Sequence, residues 1–545
     1  MVARGCATEP SDLSTIVEAW GPPATEGGLS ASKYQPSRRR AALVGVTALF
    51  CQLFAQGAEA EPAPAVAPHA FAGWAQLGIP QLLDRFEIPN ASVAVLDDGK
   101  VGWAQDFRRG GPPDDDGVFE VASLSKTVTA LAILRLVDEG RVTLDEGVDA
   151  YLERWQIPPS AYDASSVTLR RLLSHTAGIA TSRPTNIPLA EPPPTLEQIL
   201  AGDTPLHAAV LDHQPGERFA YSNPGYGILE LVVEEITGKS FDAAVRELVF
   251  TPLGMTRTGF QDDPIYSDSV LGHTNGNNPA QRLRRVPRAA GGVVSTARDM
   301  ARLAVALVEP ADRGGLLSTK TLAEMKERPE AAAGAFAMGH EGGYALGVAV
   351  GNLPSGRMFI ANEGSHEGYS SLLLAVPDTR SGVAILTNSN AGLAAELEIG
   401  IRWFRESVGE LPPLVARADS IRRAVRASTA AASVLAVTAT ALVARDLRRR
   451  RRTWSRRPRL RPAVTTAAPL GAIAAVLIAA NQNVLGHALG GVAPARLVSG
   501  DFPTLSLVAA ATLATNIAAR VFTRPIKAAH GATAADRSTP TVPAL

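Results

Sequence analysis

Apolar residues follow three rhythms along this chain. Strict alternation comes first: residues 91–107, "ASVAVLDDGKVGWAQDF", read as two extended runs joined at Asp98 and Gly99, the pattern of a hairpin. A helical rhythm follows, with Val128, Leu131, Leu134, Leu136 and Val137 on one face of a segment that runs from Lys126 to near Gly140. Four more extended runs, "YALGVAVG", "GRMFIA", "YSSLLLAVP" and "GVAILTNS", follow one another with turn residues between them. Strands at both ends of a region and helices between them predict an α+β domain with a helical insertion. No internal repeat is visible.

The third rhythm is unbroken hydrophobicity. Residues 427–444, 463–480 and 502–519 are three uncharged stretches of 18 residues, near the lower limit for crossing a bilayer. Packed soluble helices are the other reading of such Ala-rich runs. Charge favours membrane spans, because ten arginines fall in residues 445–461, between the first and second stretch, as in a cytoplasmic loop. Arg520, Arg524 and Lys527 then follow the third stretch on the same side, which leaves the chain before residue 427 outside. Near the start, three arginines at 38–40, an apolar run over 41–55 and small residues at Ala58 and Ala60 have the order of an export signal or an uncleaved anchor. It directs the same region outward.

The expected organisation is a polar tail or mis-assigned start at 1–37, the export segment at 38–60, a Pro/Ala linker at 61–74 and a globular domain at 75–410. A second linker at 411–426, a transmembrane region at 427–524 and a disordered cytoplasmic tail at 525–545 complete it.

Composition narrows the function class. Hydrophobic residues make up 46% and charged residues 19%, between a soluble enzyme and a membrane protein. Formal charge is zero, 53 basic against 53 acidic, and outside the arginine run the chain is mildly acidic, so it has no general nucleic-acid footprint. Beside two spans the arginine run is explained by topology, with lipid headgroup contact following from it. Cys6 and Cys51 are the only cysteines, which excludes a disulfide framework and a thiolate metal site.

Three segments hold candidate chemistry. In "FEVASLSKTVTALAILRLVDEG", Ser123 lies where the helix begins, a position that suits an N-cap. Lys126 is three residues on and shares its face, so a partly desolvated amine there could take the serine proton. The spacing alone decides little, since Ser30 and Lys33 repeat it. "FAYSNPGYG" places Tyr221 and Asn223 two apart, able to relay a proton and to orient a carbonyl, although a core tyrosine and a turn asparagine are the common roles of such residues. In "NEGSHEGYSSLLLAV", His366 and Gly368 lead into what reads as an edge strand, where the amide of Tyr369 would be an oxyanion donor.

Ser123-Leu124-Ser125-Lys126, Tyr221-Ser222-Asn223 and His366-Glu367-Gly368, in this order, resemble the three active-site elements of the penicillin-recognising serine hydrolases. The group includes class C beta-lactamases, serine D-alanyl-D-alanine carboxypeptidases, D-aminopeptidases and beta-lactamase-like esterases. "LLSHTAGI" (172–179), "HQPGERFAYSN" (213–223), "PLGMTRT" (252–258) and "AAGGVVSTARDM" (289–300) resemble it too, so the likeness covers about residues 75–405. It implies a beta-lactamase/transpeptidase-like fold, an antiparallel sheet flanked by helices with a helical subdomain. It also implies Ser123 as the acylated nucleophile, Lys126 as its proton partner, Tyr221 as a relay, and Asn223, His366, Glu367 and Gly368 at the substrate. The oxyanion hole would be the amides of Ser123 and Tyr369.

His366 stands where many relatives have lysine, and Glu367 where a small hydroxyl residue is usual. A carboxylate there would repel a substrate carboxylate, which favours ester, amide or amine-bearing substrates over beta-lactams. The expected partners are a small-molecule or peptide substrate, cell-wall-derived peptides among them, and membrane lipid. No cofactor, metal or nucleic acid is expected, because His273 and His340 have no spacing partners and no phosphate-cradling loop is present, while the resemblance makes His175 a structural signature near the active-site cleft. A beta-lactamase proper, or a non-catalytic sensor that kept the fold, are the alternatives.

Overall fold

A computed structural model of the chain describes residues 69–413, except 113–115, 181–184, 203–207, 275–277 and 335–341, with scattered positions from 415 to 449 and the stretches 452–454 and 523–525. The first element, helix α1 (His69–Phe86), begins inside the segment expected to be a linker. It folds there because Phe71, Ala75, Ile79 and Leu83 repeat every four residues and bury one side against the sheet.

The hairpin follows as expected, β1 (Asn90–Asp97) and β2 (Lys100–Arg108). The remaining sheet strands come from the far end of the domain: β3 (Gly343–Tyr344), β4 (Ala349–Asn352), β5 (Met358–His366), β6 (Tyr369–Val376) and β7 (Ser381–Thr387). The order across the antiparallel sheet is β2-β1-β7-β6-β5-β4-β3. The sheet thus joins the two ends of the domain through β1 and β7, where Ala91 pairs with Thr387 and the Asn90 N–H donates to Asn388 Oδ1 at 2.7 Å.

Alternate residues of the strands serve two cores. Leu372, Leu374, Val383 and Ile385 face α1 and helix α5 (Gly392–Trp403), with Ala395, Ile399 and Trp403 buried among them. Leu373, Ala375, Ala384 and Leu386 face the other way, toward α2 (Ser125–Asp138), α3 (Asn223–Thr237) and α4 (Ala297–Val308). Gly347, in the turn between β3 and β4, locks sheet to helix: its φ is +79°, a Cβ would overlap that of Ala130, and its carbonyl accepts from Thr127 Oγ1 at 3.1 Å.

Past the sheet, Val415 is buried with Leu393, Leu397 and Ile401 of α5, so part of the expected second linker packs on the domain. Arg452–Trp454 and Thr523–Pro525 form a separate antiparallel pair, Thr453 opposite Arg524. No helix among the described residues is long and apolar enough to cross a membrane. The expected spans at 427–444, 463–480 and 502–519 lie, but for Ala441, outside the described residues, as do the tail and export segment at 1–60.

Candidate active site

Ser123 does not cap a helix. It sits in a single 3-10 turn, Ala122–Leu124, that runs directly into α2, whose N-cap is Leu124 with no side-chain capping bond. The turn is tight: Ala122 has φ +48°, outside the usual region for a side-chain-bearing residue. Ser125 holds it, donating to the Ala122 carbonyl at 2.7 Å and accepting from the Val293 N–H at 3.1 Å. The Ser123 hydroxyl is therefore left to two side chains that converge on it.

The first is Lys126. One helical turn on, its Nζ lies 3.3 Å from Ser123 Oγ and donates to the Ala290 carbonyl at 2.8 Å. The side chain is fully buried, and loss of solvent pulls its pKa down to about 7. Half the amine is then a free base at neutral pH. The rings of Tyr221 and Tyr226 lie 4.7 and 5.5 Å from Nζ and support its charged form. The second is Tyr221, whose OH donates to Ser123 Oγ at 2.9 Å. Burial raises the pKa of this phenol, so it stays protonated.

Tyr221 owes its position to the start of α3. Ser222 caps the helix through the Gly225 N–H, bonds the Ala180 carbonyl, and donates its own N–H to His175 Nδ1 at 3.1 Å. Asn223 is buried in the first turn. His175 stacks 4.3 Å from the Tyr221 ring and is held neutral by burial, then by the Lys126 charge. It shapes the site from beneath.

The third segment differs from expectation. Tyr369 begins β6, which lies between β5 and β7 and is no edge strand. His366 and Tyr369 form the pair closing the β5–β6 hairpin, which engages the Tyr369 N–H with His366 inside the ladder. Glu367 is exposed at the hairpin tip, and Gly368 donates to Asn390 Oδ1 at 2.7 Å. His366 is turned into a buried cluster instead. Its Nε2 is 3.1 Å from Glu120 Oε2, and Glu120 also pairs with Arg285 at 3.4 Å and accepts from Tyr266 and Gln261. Burial and the Arg285 charge keep that imidazole neutral.

Gly364 of β5 stands at the nucleophile in place of those residues, with Asn362 on the same face of the strand and Glu363 and Ser365 on the opposite one. A Cβ on Gly364 would lie 2.8 Å from the Ser123 amide nitrogen and would overlap the Val121 carbonyl oxygen. Ser371, opposite Gly364, donates to the same carbonyl at 2.8 Å. β4 pairs with β5 only from Met358 to Ala361, so among the described residues no strand covers the outer edge of β5 beyond it. Ladder bonds alternate, and counting back from the closing pair turns the backbone groups of Glu363 and Ser365 toward that edge. Asn362 anchors the strand below, accepting from the Ala349 N–H at 3.0 Å and donating to the Gly347 carbonyl at 2.9 Å. Two x-Glu-Gly triplets four residues apart, Asn362-Glu363-Gly364 and His366-Glu367-Gly368, were the available signal. Among the described residues, no group of three or more His, Cys, Asp or Glu is arranged to hold a metal ion.

The sequence profile of the beta-lactamase family, described as "Beta-lactamase", matches residues 79–402. The protein flp of Staphylococcus aureus (strain NCTC 8325 / PS 47) is 27% identical over 333 residues, covering 58% of this chain and 62% of that protein, less than two thirds of its length. Penicillin-binding protein 4 of Amycolatopsis lactamdurans is 29% identical over 343 residues, 59% of this chain and 86% of that one. Among solved structures, the octameric penicillin-binding protein homologue from Pyrococcus abyssi superposes with a TM-score of 0.51 at 24% identity, over 65% of this chain and 81% of that one.

Proposed function

Since the chain belongs to the beta-lactamase family and is a serine hydrolase of that kind, we propose that it cleaves an ester or amide through an acyl-enzyme on Ser123. The observation that carries this reading is the convergence of Lys126 Nζ and Tyr221 OH on a single hydroxyl. In the free-base form Lys126 takes the proton as Ser123 Oγ attacks the carbonyl carbon. The oxyanion that forms is met by the amides of Ser123 and Ser365, the second replacing that of Tyr369. Tyr221, a neutral phenol, passes the proton from the lysine side to the leaving group. Water then attacks the acyl-enzyme, giving up its proton along the same path and releasing the acid.

We place this domain outside the cytoplasmic membrane, with the export segment at 38–60 and the uncharged stretches after residue 427 as anchors.

A fluorophosphonate probe tests the mechanism on the purified chain. Mass spectrometry should find one adduct, on Ser123, and Ser123→Ala should lose both labelling and p-nitrophenyl acetate hydrolysis. Undiminished hydrolysis by Ser123→Ala would overturn the assignment.

A further inference from the structure

We propose, resting on the acyl-enzyme reading, that Glu230 is a positioning residue for catalysis: from within α3 it fixes the backbone turn whose carbonyl aims Lys126 at Ser123. Lys126 Nζ makes its shorter bond to the Ala290 carbonyl, so that oxygen, more than the serine, sets where the amine sits. Ala290 belongs to a single helical turn, Arg288–Gly291, which begins at Pro287 and has no side-chain cap of its own. The first N–H groups of a helix have no partner within it, so a neighbouring oxygen has to supply one. Glu230 does this from another helix, its Oε2 accepting the Ala289 N–H at 2.9 Å. Thr129 of α2 holds the same residue from the other side, donating to the Ala289 carbonyl at 2.9 Å. Ala289 is thus fixed at both of its backbone polar groups, and the next carbonyl along is the one that Lys126 uses.

Packing and charge leave this hold to Glu230. Gly227, one turn before it on α3, makes room for Pro287, since a Cβ there would lie 3.0 Å from Pro287 Cγ. Burial pushes the Glu230 pKa up to about 8, with the Ala289 N–H and the Arg288 charge opposing and Glu234 and Asp242 adding to the rise. The acid is therefore mostly protonated at neutral pH, and its grip on Ala289 needs an acceptor oxygen but no charge. Arg288 pairs with Asp242 and Asp262. Tyr221 leads into the start of α3 and Glu230 lies two turns along it. One helix then sets both side chains that converge on Ser123, the phenol directly and the amine through Ala290.

The groups facing Lys126 are the Ser123 hydroxyl, the Tyr221 and Tyr226 rings and the neutral His175 and His366. A carbonyl oxygen favours the ammonium over the amine. Freed from Ala290, Lys126 should lose its proton at lower pH and yet meet the serine less often in a productive geometry. The test is Glu230→Leu, read as kcat, KM and the pH profile of p-nitrophenyl acetate hydrolysis. We expect kcat to fall about tenfold or more with KM little changed. The midpoint of the rising limb, about 7 in the wild type, should move down by about half a pH unit or more, which lost stability alone does not produce. Glu230→Gln keeps the acceptor and cannot titrate, so it should restore most of the rate with the midpoint at about 7. Where a circular dichroism melt shows Glu230→Leu unfolded, Glu230→Asp, which draws the acid back by one carbon, is read in the same way. A kcat that does not fall or a midpoint that does not move down overturns the proposal. So does a midpoint that vanishes in Glu230→Gln, which assigns the titration to Glu230 itself. Any of these with ester hydrolysis and a Ser123 adduct intact in the wild type sinks this inference alone, whereas absence of both in the wild type sinks the acyl-enzyme reading beneath it.

Discussion

Lys126 Nζ lies closer to the Ala290 carbonyl, at 2.8 Å, than to the Ser123 hydroxyl, at 3.3 Å. A backbone oxygen therefore orients the amine whatever its protonation state, while burial decides how often it is a base. The rate should reflect this. We expect kcat/KM to rise with pH through about 7 as Lys126 loses its proton. Lys126→Arg, charged at every accessible pH, should lose more than about a hundredfold, and a pH-rate profile on an uncharged ester reads both.

The same lysine makes stability depend on pH. Its native pKa of about 7 is below the ordinary 10.5, so between these values the unfolded chain binds more protons and stability rises with pH. The cost of burying it is full below pH 7 and fades toward 10.5, about 5 kcal/mol at most. Lys126→Met should melt higher than wild type at pH 7, and the gap in Tm should narrow by pH 10.

Glu396 runs the other way. Burial lifts it from 4.5 to about 8, so the native state binds the extra proton and stability falls as pH rises between those values. Glu396→Gln keeps one acceptor oxygen and puts an amide donor where the protonated acid carries its OH, facing Ser370 and Thr387. Its thermal advantage over wild type should be small at pH 5 and grow toward pH 8, which calorimetry at the two values checks.

Gly364→Ala should disable the site without unfolding the domain. The added methyl meets the Val121 carbonyl and the Ser123 amide, so the nucleophile turn must shift. A 1 Å displacement there is enough for about a hundredfold loss in kcat. Ester hydrolysis and a circular dichroism melt, taken together, separate this from collapse of the fold.

Arg285 is 1% exposed against a Glu120 that is 0% exposed. Arg285→Met strands that carboxylate and should destabilise the chain by about 3 to 5 kcal/mol, read by urea unfolding. The double variant with Glu120→Leu should recover a substantial part of that loss.

Much of this was written in local sequence. Ser123 and Lys126 are one helical turn apart, and Tyr221 sits three residues before a Pro at a helix start, so these local motifs, once set beside the family they resemble, were enough to find them. Strand register is a nonlocal property, and there local reading failed. The triplets ending in Gly364 and Gly368 look alike, and only the closing pair of His366 with Tyr369 fixes which one faces Ser123. The buried acids Glu120, Glu230 and Glu396 were invisible for a related reason. Glu230 reads as a polar helix position, yet it is buried to accept the Ala289 N–H at 2.9 Å, a partner 59 residues away.

The meeting of Asn90 with Asn388 has a consequence for how the chain acquires its shape. Those residues are 298 apart, and β1 reaches the rest of the sheet only through β7. Closing a loop of that size costs about 5 kcal/mol before any pairing compensates it. A ribosome must therefore release nearly the whole domain before its first hairpin finds a neighbouring strand, and until then β1 and β2 have only α1 and, later, α4 to pack against. Such a nascent chain has no complete sheet through most of its synthesis, a stage at which a polypeptide can still be threaded through a narrow pore.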